Sequence, residues 1–447
     1  MRAPSLVAST AGALALSLAA PTAAANPVET FGMGSRSTAM GSAVTADATD
    51  FSANYYNPAG LVGQKHLLLE LGYVYAHHDL EIDGKNNHVD DVRGMTVGTV
   101  APGELAKIPF AFGLGMHLPD ERVFRVRALD QTQPRWELYD NRTQRIVFAA
   151  NLAVQPFPWL EIGGGLTFLA GTQATLDVSG ELRADAPDQS DLRHQVDANL
   201  NSIRYPQFGV RVLASDRLRF GAVYRGQFHL DINIDANVAA SYLGVGLTSA
   251  ITTSEVDAFL PQQVAIGGSW DARDDLTIDA DVTWVNWSAY QPAVTNVTSD
   301  TKLLTNEPAL AGLVPAKTAP TVIVPANFHD RFVPRVGVEW RLPLGPEALG
   351  HRLALRAGYS YEHTPIPEQR GVTNYVDCDR HAISAGVGVT VHHLIDELPG
   401  DVRFDVHGQL SILPERMTHK DDPADLVGDY WQGGTIYSVG ATVGVAF

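Results

Sequence analysis

The chain has 447 residues, a formal net charge of −18 and one cysteine. So acidic a chain lacks the basic footprint that nucleic-acid binding needs, and a lone cysteine excludes an intramolecular disulfide. Beyond the N-terminus no run reaches the eighteen or so apolar residues of a membrane-crossing helix, which leaves β-barrels open because their signal per segment is weaker.

Residues 1–25 read as a secretory signal peptide. Arg2 supplies the positive start, residues 11–20 the apolar stretch, and Ala23-Ala24-Ala25 a small-residue cleavage site. The mature chain is expected to begin near Asn26. Residues 26–63 differ from all that follow, being rich in Gly, Ala, Ser and Thr without alternation. Phe31, Met33, Met40, Phe51, Tyr55, Tyr56 and Leu61 within them favour burial, so a compact plug is expected rather than a free tail. At Asn57-Pro58-Ala59 the asparagine amide can hold a turn while proline fixes the backbone after it.

From residue 65 on, alternating runs follow one another. Approximate strands fall at 65–83, 88–101, 107–119, 143–156, 159–178, 196–214, 217–237, 259–272, 275–290, 330–342, 351–362, 380–393, 401–414 and 431–447. The run 218–235, LRFGAVYRGQFHLDINID, reads as one long strand, with apolar residues at even positions and mostly polar ones at odd positions. Soluble strands average about five or six residues, whereas a tilted membrane strand needs about 9–11. Fourteen is even, and the links alternate: short at 156–159, 215–217, 273–275 and 394–400, long at 120–142, 179–195, 238–258, 291–329, 363–379 and 415–430. Short periplasmic turns opposite long extracellular loops are the outer-membrane pattern. Trp159, Trp270, Trp284, Trp287, Trp340 and Trp431 lie where interfacial girdles are expected. The fold class is thus all-β: a transmembrane antiparallel barrel of about fourteen strands (64–447) with an N-terminal hatch (26–63) in its lumen.

Two loops are unusually apolar, VAASYLGVGL (238–247) and the pair ALAGLVPAK and PTVIVPANF (309–317 and 320–328). An apolar solute gains nothing from a water-filled pore and needs apolar docking surfaces, so Tyr242, Leu243, Val245, Leu247, Leu313, Val322 and Val324 are candidate ligand contacts. The bland alternative is that these loops fold onto the barrel mouth. In the third strand, Gly113 and Gly115 share a face, and strand glycines mark kinks or close approaches. Luminal arginines 211, 219, 225, 352, 356 and 403 are expected to pair with Asp231, Asp279, Asp281 and Asp405. No catalytic motif, nucleotide loop or metal-ligand spacing appears, so no catalytic residue, cofactor or metal site is assigned. The adjacent pairs His77-His78 and His392-His393 point to opposite faces of a strand and cannot share one ion.

The final run YSVGATVGVAF ends in an aromatic residue, which resembles the assembly signal of Gram-negative outer-membrane barrels. The segment 31–61 with Asn57-Pro58-Ala59 looks like the hatch of FadL-type long-chain fatty acid transporters, and 259–290, 330–341, 355–369 and 379–389 are similar to that family too. The resemblance implies a monomer in the outer membrane, surrounded by its lipid and lipopolysaccharide. It implies loop capture of long-chain fatty acids or aromatic hydrocarbons, luminal binding, and sideways exit at a kink in the third strand, beside Gly113 and Gly115. Carried over by motif, Asn57, Pro58 and Ala59, with Phe31, are hatch-gating candidates. An adhesin or purely structural barrel is the alternative.

Overall fold

The computed structural model describes residues 27–120, 131–139, 146–181, 191–242, 245–290, 296–304, 324–346, 350–392, 394 and 400–447. Fourteen strands form the wall, numbered here in chain order. They are β1 (Leu68–Ile82), β2 (Val92–Leu105), β3 (Ile108–Pro119), β4 (Val147–Phe157), β5 (Leu160–Glu181), β6 (Asp191–Ser215) and β7 (Leu218–Arg225), then β8 (Gln263–Arg273), β9 (Leu276–Val285), β10 (Arg331–Pro343), β11 (Arg352–Glu362), β12 (Arg380–His392), β13 (Asp401–Thr418) and β14 (Tyr430–Ala446). Each pairs antiparallel with its sequence neighbour, and β14 closes on β1 from Leu68↔Ala446 to Ile82↔Gln432. Closure removes every sheet edge from the lipid, where an unpaired backbone group has no partner.

The wall is inside-out relative to a soluble barrel. Leu71, Phe112, Leu152, Phe208, Ile266 and Phe332 point outward and are exposed, whereas Glu70, Gln207, Asp279, Glu339, Arg356 and Asp405 are buried in the lumen. Trp159, Trp270 and Trp340 are exposed near the short turns, and Trp431 near the opposite rim, as amphipathic rings at the two interfaces should be. Trp287 departs from that expectation. It sits in a short 3-10 turn, Trp287–Ala289, and is 3% exposed within the luminal core.

The run 218–235 is not one strand. β7 ends at Arg225, a second strand spans Phe228–Tyr242, and between them the inward alternation slips by one: Arg225 and Gly226 are both buried. Below the break Phe220 and Tyr224 face lipid, and above it Phe228 faces the interior, 3% exposed. The reason is the change of solvent. Past the membrane boundary the outside is water, so the same apolar parity must turn inward. Glycine suits the break, and its N–H donates to Pro206 O at 2.8 Å, bracing it against β6. The expected loop 238–258 instead contributes Phe228–Tyr242 and Val245–Leu260, a hairpin that pairs with β5 in parallel and with Asn296–Leu304.

Inside the barrel, short helices Pro27–Phe31, Ser35–Ala39 and Ala53–Tyr56 and the 3-10 segment Pro58–Gly63 fold into a knot. Its core of Met33, Met40, Val44, Phe51, Tyr56 and Leu61 is continuous with Val100, Ala111 and Ala153 of the wall. Nine wall strands (β2, β3, β5–β8 and β10–β12) meet this knot through a glycine whose Cβ, if present, would fall within about 3 Å of a hatch atom. Gly358, for example, would place one 2.6 Å from Gly41 Cα.

Candidate functional site

The hatch is tied to the wall by charge as well as by shape. Arg36 pairs with Asp47 within the knot and donates to Glu339 Oε2 at 3.0 Å; Arg219 reaches Asp47 Oδ1 at 3.0 Å and Arg403 reaches Asp50 Oδ2 at 3.2 Å. Arg356 bridges Glu339 and Asp405, and Arg211 pairs with Glu161. The luminal arginines therefore do form networks, with hatch carboxylates, with glutamates and, of the expected partners, with Asp405, which pairs with Arg356 and Arg403. Asp281 instead accepts from Thr45 N, both oxygens of Asp279 are buried without a hydrogen bond, and the side chain of Asp231 lies outside the described residues. Arg352 is exposed.

Asn57 is 1% exposed and uses its whole amide. Oδ1 accepts from Ala59 N at 3.1 Å, and Nδ2 donates to Thr45 O at 2.8 Å and Val210 O at 3.1 Å. One side chain caps the following 3-10 turn, closes the hatch on itself and fastens it to β6. Pro58 starts that turn where its missing N–H costs nothing. Gly113 and Gly115 of β3 face the lumen against the hatch: a Cβ on Gly113 would lie 2.5 Å from Asn54 Oδ1, and one on Gly115 3.1 Å from Asn54 Cβ. The β3 ladder to β2 runs unbroken from Gly94↔Pro119 to Leu105↔Ile108, and that to β4 from Phe110↔Val154 to His117↔Val147. Ala111, Ala149, Ala153, Gly163 and Gly165 keep much of the lumen side of this sector small, while Asn151, opposite Gly113, reaches the hatch with its Nδ2 donating to Asn54 O at 3.1 Å.

Above the hatch the lumen holds an apolar cluster beside buried charges. Phe31 of the hatch, Val74, Leu80 and Leu413 of the wall, and Trp136, Tyr139, Phe259, Trp287, Tyr290, Phe328, Ile366 and Tyr375 of the loops form one buried cluster. Tyr290 stacks on Phe328 with centroids 4.3 Å apart, and Tyr375 meets both rings edge-on. Such pairs add about 0.5–1.5 kcal/mol beyond area burial. A two-residue parallel pairing of Arg135–Trp136 with Tyr375–Val376 roofs the cluster, and Arg135 lies over the Tyr375 ring at 5.2 Å. Gln131 links three loops: Nε2 donates to Tyr375 OH at 2.6 Å and Val324 O at 3.0 Å, and Oε1 accepts from Val324 N at 3.2 Å.

Of the loop residues expected to touch ligand, Val324 is half-buried and held in this roof through its backbone. Leu243, Leu313 and Val322 lie outside the described residues, as do the side chains of Tyr242, Val245 and Leu247. The sequence points to Phe31 for the hatch and Trp287 for a girdle, but to none of the cluster's loop rings, Trp136, Tyr139, Tyr290, Phe328 and Tyr375, for ligand contact. Their signal is the rings in the connections 131–139, 287–290 and 324–330, which have no periodicity to mark them.

Where roof and hatch meet, Glu29, Thr30, Leu138, Tyr139, Trp287, Arg331, Glu362 and Arg380 enclose a cavity of about 20 Å³. Glu362 accepts from Arg331 Nη2 at 2.9 Å with one oxygen and from Arg380 with the other, and Arg331 also lies over the Trp287 ring at 5.6 Å. Burial pushes the Glu29 carboxyl above its ordinary range against the pull of Arg331. In the loop beside it, burial lifts Asp377 to about 6 although it accepts from Thr364 Oγ1 at 2.6 Å, and lifts the Cys378 thiol to about 12.

Residues 14–406 match the family described as outer membrane protein transport protein (OMPP1/FadL/TodX). The alkane uptake protein A of Marinobacter nauticus is 23% identical over 433 residues, covering 90% of this chain and 88% of that protein. Among solved structures, a Pseudomonas aeruginosa FadL homologue superposes with a TM-score of 0.59 at 14% identity, over 93% of this chain and 98% of its own. The CymD monoaromatic hydrocarbon channel does so with 0.54 at 15% identity, over 93% and 97%. The Ralstonia pickettii toluene transporter TbuX matches with 0.54 at 15% identity, over 93% and 99%.

Proposed function

The chain belongs to the outer membrane transport protein family of FadL and TodX, and from that premise we propose that it takes up long-chain fatty acids or similarly apolar small molecules. The observation that carries this reading is the buried aromatic cluster above the hatch. A barrel lumen that served water-soluble cargo would stay polar; here the upper lumen is built from rings that offer an apolar solute a site better than water. In this reading the loops capture the solute, the roof passes it to the cluster, and movement of the hatch at Asn57, Pro58 and Ala59 opens the way on. Exit is sideways beside Gly113 and Gly115, whose bare backbone faces the hatch, so that a displaced hatch leaves room. One barrel holds the whole route, so a monomer suffices. The concentration gradient and consumption inside the cell drive the flow.

Cells lacking their own fatty acid transporter and expressing this chain should take up labelled oleate, toluene or hexadecane faster than controls while small sugars stay out. Sugar entry would point to an open pore and overturn the reading. Entry of no solute through a folded barrel would favour an adhesin.

A further inference from the structure

The aromatic cluster carries an unused acceptor and an unused donor. His78, in β1, is 1% exposed, and its Nδ1 lies 2.8 Å from Asp90 O. A carbonyl oxygen only accepts, so the ring proton sits on Nδ1 and Nε2 keeps a bare lone pair. That Nε2 is buried with no hydrogen-bond partner among the described residues. A second proton on the ring would not relieve it, because the cation would be buried among aromatic rings. Trp136, in the roof, is 0% exposed, and its Nε1–H is likewise buried without an acceptor among the described residues. Each unpaired group carries a desolvation cost that a partner would remove.

The two nitrogens belong to one neighbourhood. The ring of Tyr139 lies 6.1 Å from that of His78 and 6.1 Å from that of Trp136. Phe31 of the hatch meets His78 edge-on at 5.7 Å. Wall, roof and hatch thus each bring a ring to this point, and the rings must part to admit a guest. A hydrocarbon entering here would leave both nitrogens unpaired. A carboxylate has no proton to give, so its oxygens would face the Nε2 lone pair. A hydroxyl group answers both: its O–H donates to Nε2 and its oxygen accepts from the indole N–H.

We propose that His78 and Trp136 form a subsite for a hydroxyl group, so that the favoured cargo is an apolar molecule bearing a hydroxyl, an alcohol or a phenol. The inference rests on the transport reading above and narrows it. The rings hold the hydrocarbon part, and the two nitrogens select the group it carries.

The test is equilibrium binding to the full chain in lipid nanodiscs, corrected for partition into empty nanodiscs. The probes are dodecanol, para-octylphenol, dodecyl methyl ether, dodecane and dodecanoate. The ether keeps the accepting oxygen and loses the proton, so the preference for dodecanol over ether reads His78 alone. In wild-type protein that preference should be at least about fivefold, the worth of one hydrogen bond between neutral groups. His78→Phe should abolish it and leave dodecanoate binding unchanged. Trp136→Phe should weaken dodecanol and ether alike, by about fivefold, and keep their ratio. Octylphenol that follows dodecanol through the variants extends the subsite to phenols; octylphenol that ignores both substitutions confines it to alcohols. His78→Phe also removes the bond to Asp90 O, so wild-type protein with isotope-labelled tryptophan provides a second reading. The indole N–H resonance that is absent from Trp136→Phe should move downfield with dodecanol and ether and stay in place with dodecane. A dodecanol preference equal in wild type and His78→Phe, or an unmoved Trp136 resonance, would overturn the subsite while leaving apolar transport standing. Binding of no probe by the folded barrel would overturn both.

Discussion

Asn57→Ala isolates the fastening of the hatch from the integrity of the barrel. The substitution removes three hydrogen bonds and leaves Ala59 N–H and Thr45 C=O, both buried, without their partner. Each buried group so orphaned costs about 1–3 kcal/mol, so the folded and docked state of the hatch should weaken by about 2–6 kcal/mol. At the lower bound that is roughly a thirtyfold rise in the undocked population, since about 1.4 kcal/mol is a factor of ten. Asn57→Asp should be worse, because it keeps the acceptor for Ala59 N but turns a charge toward two carbonyl oxygens. Hydrogen exchange read by mass spectrometry provides the assay, with the wall amides as internal reference and heat-dependent gel mobility as proof of a closed barrel. Exchange in residues 42–63 should accelerate while β1–β14 stay protected. Unchanged hatch protection in both variants would refute the idea that this amide fastens the hatch.

Gly358→Ala places a methyl against the backbone of Gly41, where no side chain can rotate aside, so overpacking of about 1–3 kcal/mol should appear as loosened protease protection of the hatch. Gly345→Ala, in open space, is the control for a mutated glycine, although its positive φ of 76° carries a small strain of its own. The folded pKa of Asp377, about 6, is raised above the unfolded 3.8; its stabilising effect is therefore complete below about pH 4 and lost as pH rises through 6. Exchange in residues 364–379 should accordingly be slower at pH 5 than at pH 7 after correction for the intrinsic rate, and Asp377→Asn should remove the difference. Cys378, 2% exposed with its thiol raised to about 12, should resist maleimide in folded protein and react only on unfolding; prompt labelling at pH 7.5 would contradict the burial.

The wall was legible because lipid and lumen impose a two-residue period over strands too long for a soluble sheet. The same rule misled at 218–235, where the outside changes from hydrocarbon to water and the parity inverts between Arg225 and Phe228 without any change in the written pattern. Small residues and buried-type aromatics in 26–63 pointed to a plug, yet its seat could not be read, since nothing in the sequence says which glycine faces which hatch atom. The aromatic cluster was illegible for a different reason. Gln131 and Tyr375 meet across 244 residues of chain, and loops have no period to announce such meetings. Arg331 and Arg380 begin β10 and β12, and Glu362 ends β11, so the three stand together on neighbouring strands at one rim. Strand-end positions belong equally to wall and loop in a sequence pattern, and these were passed over.

The glycine seat has a consequence for the membrane as an insulator. An unblocked fourteen-strand barrel would conduct ions, and every copy would erode the barrier that keeps dyes and hydrophilic antibiotics outside. Where plug and wall meet through long side chains, the seal flickers as rotamers hop on the nanosecond scale. On nine of the fourteen strands a glycine adds backbone contact to the hatch beside the arginine and carboxylate pairs, so at those points nothing on the wall side can swing aside. Leak through the closed channel then waits on displacement of the hatch as a body, a far rarer event. A cell can carry such channels in number for an occasional apolar meal and remain electrically tight between meals.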